Sequence, residues 1–203
     1  MPEKVFLLSP ANCSGKRAAL LFNERATFDL AVRMRSQQAT LGEVFCFLSG
    51  LYFRGKLAYA RTFEEPTRDL PGHLVITPSR GLLPSTAPVD LLLLREFAAT
   101  PIVIEEPRYR LPLERDVLLL ASQLNPVANV VLLGSVATAK YVDLLLPAFG
   151  ERLLFPAAFV GRGDMSRGGL LLRYVEQGSE LDYLSVATAV RRGTRPPKLP
   201  KRI

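Results

Sequence analysis

Short runs of Val, Ile, Leu and Phe alternate along this chain with stretches in which apolar residues return every three or four positions. The runs predict strands and the stretches amphipathic helices. Their alternation predicts a largely parallel sheet with helices on its faces. Residues 5–9 are the first strand candidate and feed the polar loop 10–15. A helical pattern follows over 27–35, with Phe28, Ala31 and Val32 on one face, and residues 43–48 read as a second strand. Residues 50–62 carry a helical stripe of Leu51, Tyr52, Ala58 and Tyr59, with Arg54, Lys56 and Arg61 largely off it.

Residues 64–72 form a polar linker holding two prolines, after which 73–77 is a buried-strand candidate stopped by Pro78 and Gly81. A helix over 90–99, a short strand over 102–104 and a helix over 113–124 come next. The clearest unit is the strand 129–133, which runs through Gly134 and Ser135 into a helix over 136–149. A short strand at 153–155 precedes a glycine-rich loop, 161–169, and 170–175 is expected to pair with 180–186 as a hairpin about Gln177, Gly178 and Ser179. No internal repeat is present. The expected architecture is therefore α/β, a three-layer domain over 1–190. Its sheet is mainly parallel with four to five strands, and a C-terminal β-hairpin and a flexible basic tail over 191–203 complete it.

Composition adds limits to this picture. The chain has 203 residues, 48% apolar and 22% charged, which is ordinary for a globular domain and unlike a disordered or collagen-like one. Its net charge is +7, yet the tail alone holds six basic and no acidic residues, leaving +1 for residues 1–190. The tail could neutralise phosphates without reading sequence, or simply solubilise the chain. Cys13, Cys46 and His73 are the only Cys and His residues, fewer than a four-ligand structural zinc site takes, so neither a metal nor another cofactor is expected. Two cysteines make no disulfide framework, and the apolar run 5–8 is too short for a signal core. Lys140 and Asp143 interrupt the longest apolar stretch, so a cytoplasmic protein away from membranes is expected.

Ligands of open parallel sheets bind beyond the carboxyl ends of the strands, where loop amides and helix N-termini point outward. That rule selects the loops after each strand. In 10–17, Asn12, Ser14 and Lys16 could hold an anion or a base edge, or make a turn that caps the next helix. The loop is no nucleotide-triphosphate loop, because Pro10 and Arg17 stand where Gly and Ser or Thr are needed. Gly134 and Ser135 could offer backbone amides or only cap a helix, with Lys140 flanking them or facing water. Arg80 suits a phosphate or carboxylate, though lone loop arginines are usually solvated. Glu105 and Glu106 could supply a general base or pair with Arg108 and Arg110. The loop 161–169 holds four glycines with Arg162, Asp164, Ser166 and Arg167, a composition suited to a phosphodiester or to a tight connection. His73 begins its strand, away from the crevice, which leaves no histidine for a Ser-His or Cys-His pair there. Cys13 is a minor nucleophile candidate that would need Lys16 or Arg17 to lower its pKa.

Three pieces, Ser9 to Lys16, Val75 to Pro84 and Leu124 to Ala137, resemble in layout the uracil-DNA glycosylase superfamily and its relatives. The resemblance spans about residues 4–150. It implies a four-stranded parallel core that handles a flipped base and cleaves an N-glycosidic bond with an activated water. It makes Asn12 the residue of the water-activating loop. The family's late His-Pro-Ser type loop has no counterpart here, and residues 162–169 occupy that position with different chemistry. Base flipping also calls for a wedge and a stacking aromatic, for which Tyr52, Phe53, Tyr109 and Phe159 are candidates.

The sequence thus leads to the expectation of a nucleic-acid-processing protein, most concretely a DNA glycosylase acting on a modified or damaged base, with DNA ranked ahead of RNA. Asn12, Ser14 and Glu105 are its catalytic candidates. Lys16, Arg80, Gly134, Ser135, Lys140, Arg162, Asp164, Ser166 and Arg167 are its binding candidates. The alternatives are a non-catalytic nucleotide, nucleic-acid or protein-binding module, and an enzyme acting on small nucleosides.

Overall fold

The computed structural model describes residues 4–65, 70–197 and 199, so parts of the linker (66–69) and of the tail (198, 200–203) lie outside the described residues. Within them, β1 (Lys4–Leu8), β2 (His73–Ile76), β4 (Asn129–Leu133) and β5 (Leu153–Pro156) form a parallel core in the order β2-β1-β4-β5. Antiparallel strands close both edges, β3 (Leu82–Leu83) beside β2 and β6 (Tyr183–Ser185) beside β5. The strand alternation splits the core in two. Phe6 and Leu8 face one side with Val131 and Leu133, while Val5 and Leu7 face the other with Val130 and Leu132.

The second side is covered by α6 (Pro107–Gln123) and α7 (Ala139–Phe149), which bury Tyr109, Leu113, Val117 and Leu145. The first side is covered by α3 (Leu41–Ser49), α4 (Leu51–Phe63), α5 (Leu91–Ala98) and α8 (Asp164–Gln177), with α1 (Lys16–Phe22) and α2 (Asp29–Arg35) outside them. The result is a three-layer α/β domain. No described helix is long and apolar enough to cross a membrane.

Three segments depart from the sequence expectation, each for a local reason. Residues 43–48 belong to helix α3, not a strand. Thr40 and Glu43 form a reciprocal capping box, in which Glu43 Oε2 accepts from Thr40 N at 2.9 Å and Thr40 Oγ1 accepts from Glu43 N at 3.4 Å. Residues 102–104 make a turn, because the edge beyond β2 is already occupied by β3. Residues 170–175 lie inside α8, so the C-terminal antiparallel pair is β5 with β6. Gly178, at φ +66°, ends α8 in the left-handed conformation instead of turning a hairpin.

Two corrections bear directly on function. Helix α7 starts at Ala139 with Thr138 at its cap, so Ser135 is a loop residue and not a helix cap. The glycine-rich stretch is mostly the start of α8, and its Gly168 serves packing. A Cβ at Gly168 would come within 2.7 Å of Leu51 O and Tyr52 Cα, and one at Gly55 within 2.7 Å of Gly168 O. Helices α4 and α8 therefore cross backbone against backbone.

Candidate functional site

The chain leaves β1 in one direction to reach β2 and later returns to the other side of β1 as β4. Such a reversal opens a crevice at the carboxyl ends of the two strands. A cleft of about 600 Å³ lies there. Its rim comes from the loop after β1 (Asn12, Ser14), the loop after β4 (Ser135), the first turn of α7 (Lys140) and the first turn of α8 (Asp164). Phe97, Ala98, Ala99, Pro101 and Ile102 form an apolar wall, so the turn that replaces the expected strand becomes one side of the cleft. Tyr52 and Tyr141 line it from α4 and α7 and are themselves buried.

Five of the sequence candidates thus converge: Asn12, Ser14, Ser135, Lys140 and Asp164. Asn12 Oδ1 accepts from Ser14 N at 3.0 Å and from Ser14 Oγ at 2.9 Å, which commits its oxygen and leaves the amide NH2 as its donor. Asp164 is the carboxylate of the cleft. Its side chain is 71% exposed, and Arg167 Nη1 lies 3.6 Å from Oδ1.

The remaining candidates sit elsewhere. Glu105 is exposed outside the cleft. Its neighbour Glu106 caps α6 and is held by Arg108, whose side chain and backbone hydrogen bonds keep the Glu106 carboxyl down at about 2. Arg110 pairs with Glu114 instead. Lys16 is exposed on α1 and Arg80 pairs with Glu96 at 2.5 Å. Gly134 lies behind the cleft, where a Cβ would come within 2.9 Å of Ser9 Cβ, so its smallness serves strand packing. Arg162 donates to Ser166 Oγ at 3.2 Å and to Pro197 O at 3.3 Å. Arg167 is buried and gives Nε and Nη2 to Phe159 O at 3.3 and 3.1 Å. Arg167 is therefore spent within the fold, whereas the buried Nε of Arg162 has no hydrogen-bond partner among the described residues.

Cys13 lines the cleft but is buried. Desolvation pushes its thiol up to about 12, the opposite of what an activated thiolate requires. Of the aromatic wedge candidates, Phe53, Tyr109 and Phe159 are wholly buried and Tyr52 is 5% exposed, so none of the four projects from the surface. Met165, which follows Asp164 in α8, is 67% exposed and is not among the residues that line the cleft.

Sequence reasoning missed Lys56. It is 1% exposed and donates from Nζ to Ser9 O at 2.5 Å and to Ser9 Oγ at 2.9 Å, with the rings of Tyr52 and Phe53 at 4.4 and 4.9 Å. Burial lowers its pKa to about 7, partly opposed by the field of Asp164. Ser9 also donates to Leu133 O at 3.3 Å, so Lys56 secures the junction of β1 and β4 immediately behind the cleft. Its offset from the apolar stripe concealed it, because that position reads as a solvated lysine.

Of the tail, Arg191, Arg192 and Arg195 are exposed, and Arg192 Nη2 donates to Ala137 O at 3.2 Å. Leu199 packs against the first core, and Gly161 passes so close to Thr194 O that a Cβ would stand 2.1 Å from it. Among the described residues, no group of three or more His, Cys, Asp and Glu could hold a metal. No protein-family model, curated protein or solved structure matches the chain.

Proposed function

We propose that this protein processes nucleic acid by seating a single base in the cleft between β1 and β4 and hydrolysing its N-glycosidic bond. The observation that carries the reading is the convergence of Asn12, Ser135, Lys140 and Asp164 on one cleft at the strand reversal. Glycosidic cleavage develops positive charge on the sugar and negative charge on the departing base, so a site needs a carboxylate beside the first and donors at the second. Asp164 fits the first role and, being exposed, can polarise a water for attack at the anomeric carbon. The Asn12 amide, the Ser135 hydroxyl and the Lys140 ammonium fit the second. This assignment moves the water-directing role from Asn12 to Asp164, because the Asn12 oxygen is committed to Ser14. The tail cations supply affinity for the phosphate backbone, with DNA ahead of RNA as the polymer.

Incubation with oligonucleotides carrying uracil, hypoxanthine or hydroxymethylated bases, followed by assay of abasic sites, tests the proposal. Product is expected with at least one of them and is expected to disappear in Asp164→Asn. No product from any of the three classes overturns the hydrolytic reading.

A further inference from the structure

A buried lysine is costly, and Lys56 is held against a serine that borders the cleft. Ser9 follows β1 directly and lines the cleft, with its Oγ 2.9 Å from Lys56 Nζ. While Lys56 is an ammonium it can only donate, which it does to Ser9 O and Ser9 Oγ. The single hydroxyl proton of Ser9 then points to Leu133 O at 3.3 Å. Once Lys56 loses a proton, its lone pair becomes an acceptor at 2.9 Å and the serine proton can turn toward it. A hydroxyl within hydrogen-bond reach of a neutral amine, beside a cavity, is the arrangement of an activated nucleophile.

The surroundings make the neutral amine accessible. The rings of Tyr52 and Phe53 stand 4.4 and 4.9 Å from Nζ and keep water from it. Burial lowers the amine to about 7. Arg167 on α8 and Lys140 on α7 push in the same direction, while Asp164 on α8 and Cys46 on α3 oppose them. About half of the Lys56 side chains are therefore neutral near pH 7, where a solvated lysine is almost wholly charged.

We infer that Ser9 and Lys56 form a nucleophile and base pair that gives the cleft a second activity, hydrolysis of a carboxylic ester with an apolar acyl chain. Lys56 Nζ takes the proton of Ser9 Oγ as Oγ bonds to the ester carbonyl carbon. The tetrahedral intermediate collapses by breaking the bond to the alkoxy oxygen, which takes that proton from Lys56 and leaves as the alcohol. Water then attacks the acyl carbon and gives a proton to Lys56. The bond to Ser9 Oγ breaks, Oγ recovers its proton from Lys56, and the carboxylic acid departs. Phe97, Ala98 and Ile102 supply an apolar wall for the acyl chain. The Asn12 amide NH2 and the Lys140 ammonium are the cleft's donors for the oxyanion. None of this rests on base binding.

Labelling of the full chain with a fluorophosphonate probe across a pH series, with the adduct located by peptide mass spectrometry, tests the pair. Ser9 is expected to carry the adduct, at a rate that rises with pH through a midpoint near 7. Release of p-nitrophenolate from p-nitrophenyl hexanoate is expected from wild type and is expected to be lost in Ser9→Ala. Lys56→Met is expected to slow labelling above the midpoint by about 10²-fold or more and to flatten its pH dependence. Thermal melting shows whether that variant is folded, and if it is not, the wild-type pH profile decides. No adduct at Ser9, ester release that survives Ser9→Ala, a wild-type rate without a midpoint near 7, or an unchanged rate in folded Lys56→Met overturns the pair. Failure to release any base from oligonucleotides counts against the earlier proposal alone, and labelling of Ser9 is expected all the same.

Discussion

Two polar clusters sit at opposite ends of the parallel sheet, and they differ in what they leave undone. At the start of β2, His73 places Nδ1 on the Glu64 carboxylate and Nε2 at 2.8 Å from Ser85 Oγ, the connectivity of a Ser-His-Glu triad. At the far end of the strands, Ser9, Tyr52 and Asp164 line the cleft and Lys56 lies behind it on Ser9. The first cluster is closed. Ser85 is 3% exposed and its hydroxyl also lies 3.5 Å from Arg61 Nη2. The second cluster retains a largely exposed carboxylate and room for a ligand. Triad connectivity alone therefore says little about function, and unspent hydrogen-bonding capacity beside a cavity says more.

Substitutions can break this contrast, beginning with the largest effect. Asp164→Asn is expected to lower the turnover of base release by 10²-fold or more, with a melting temperature close to wild type, because the side chain is mostly solvated. His73→Ala should do the reverse. It strips Glu64 and Ser85 of their partner and is expected to cost about 2–4 kcal/mol in denaturant unfolding, while base release per folded molecule stays the same. A fluorophosphonate probe should leave Ser85 unlabelled, and labelling there would make the closed cluster a nucleophilic site.

Lys56→Met gives a smaller, pH-dependent effect. The folded pKa of about 7 lies below the ordinary lysine value of 10.5, so between these values the unfolded chain binds more protons than the folded one. The burden of Lys56 on stability is thus full below about pH 7 and fades as the pH rises toward 10.5. Relative to wild type, Lys56→Met should be at its most favourable near pH 6 and lose ground steadily through pH 8 to 10. A difference that stays flat with pH would show that Lys56 is not held in a desolvated site. Least affected of all, Arg80→Ala breaks only an exposed pair with Glu96 and should change stability by no more than about 0.5 kcal/mol.

The parallel core was legible because each of its strands is a short apolar run bounded by Gly, Pro or polar residues. Two helices were misread because α3 and the Leu-rich half of α8 are apolar enough to resemble buried strands. Their signals lay in single residues, the Thr40–Glu43 box and Gly178. At the site, the loops that follow strands could be chosen by rule, which is why Asn12, Ser135 and Asp164 emerged. Lys56 could not, since its burial depends on how two helices distant in sequence approach each other. The same dependence committed Arg167, because its acceptor, Phe159 O, is set by folding and not by spacing.

That approach of α4 and α8 has a consequence for how the molecule can change. Tyr52 and Lys56 ride on one helix and Asp164 and Arg167 on the other, and Gly55 and Gly168 hold the two backbones in touch. The width of the cleft mouth is thereby set by the absence of two side chains. Drift at most surface positions leaves that dimension untouched, whereas gaining one methyl group at either glycine spreads the walls and retunes every distance across the opening at once. Change in what the cleft admits is channelled to the rim loops, where residues can be exchanged one at a time against a frame of constant calibre.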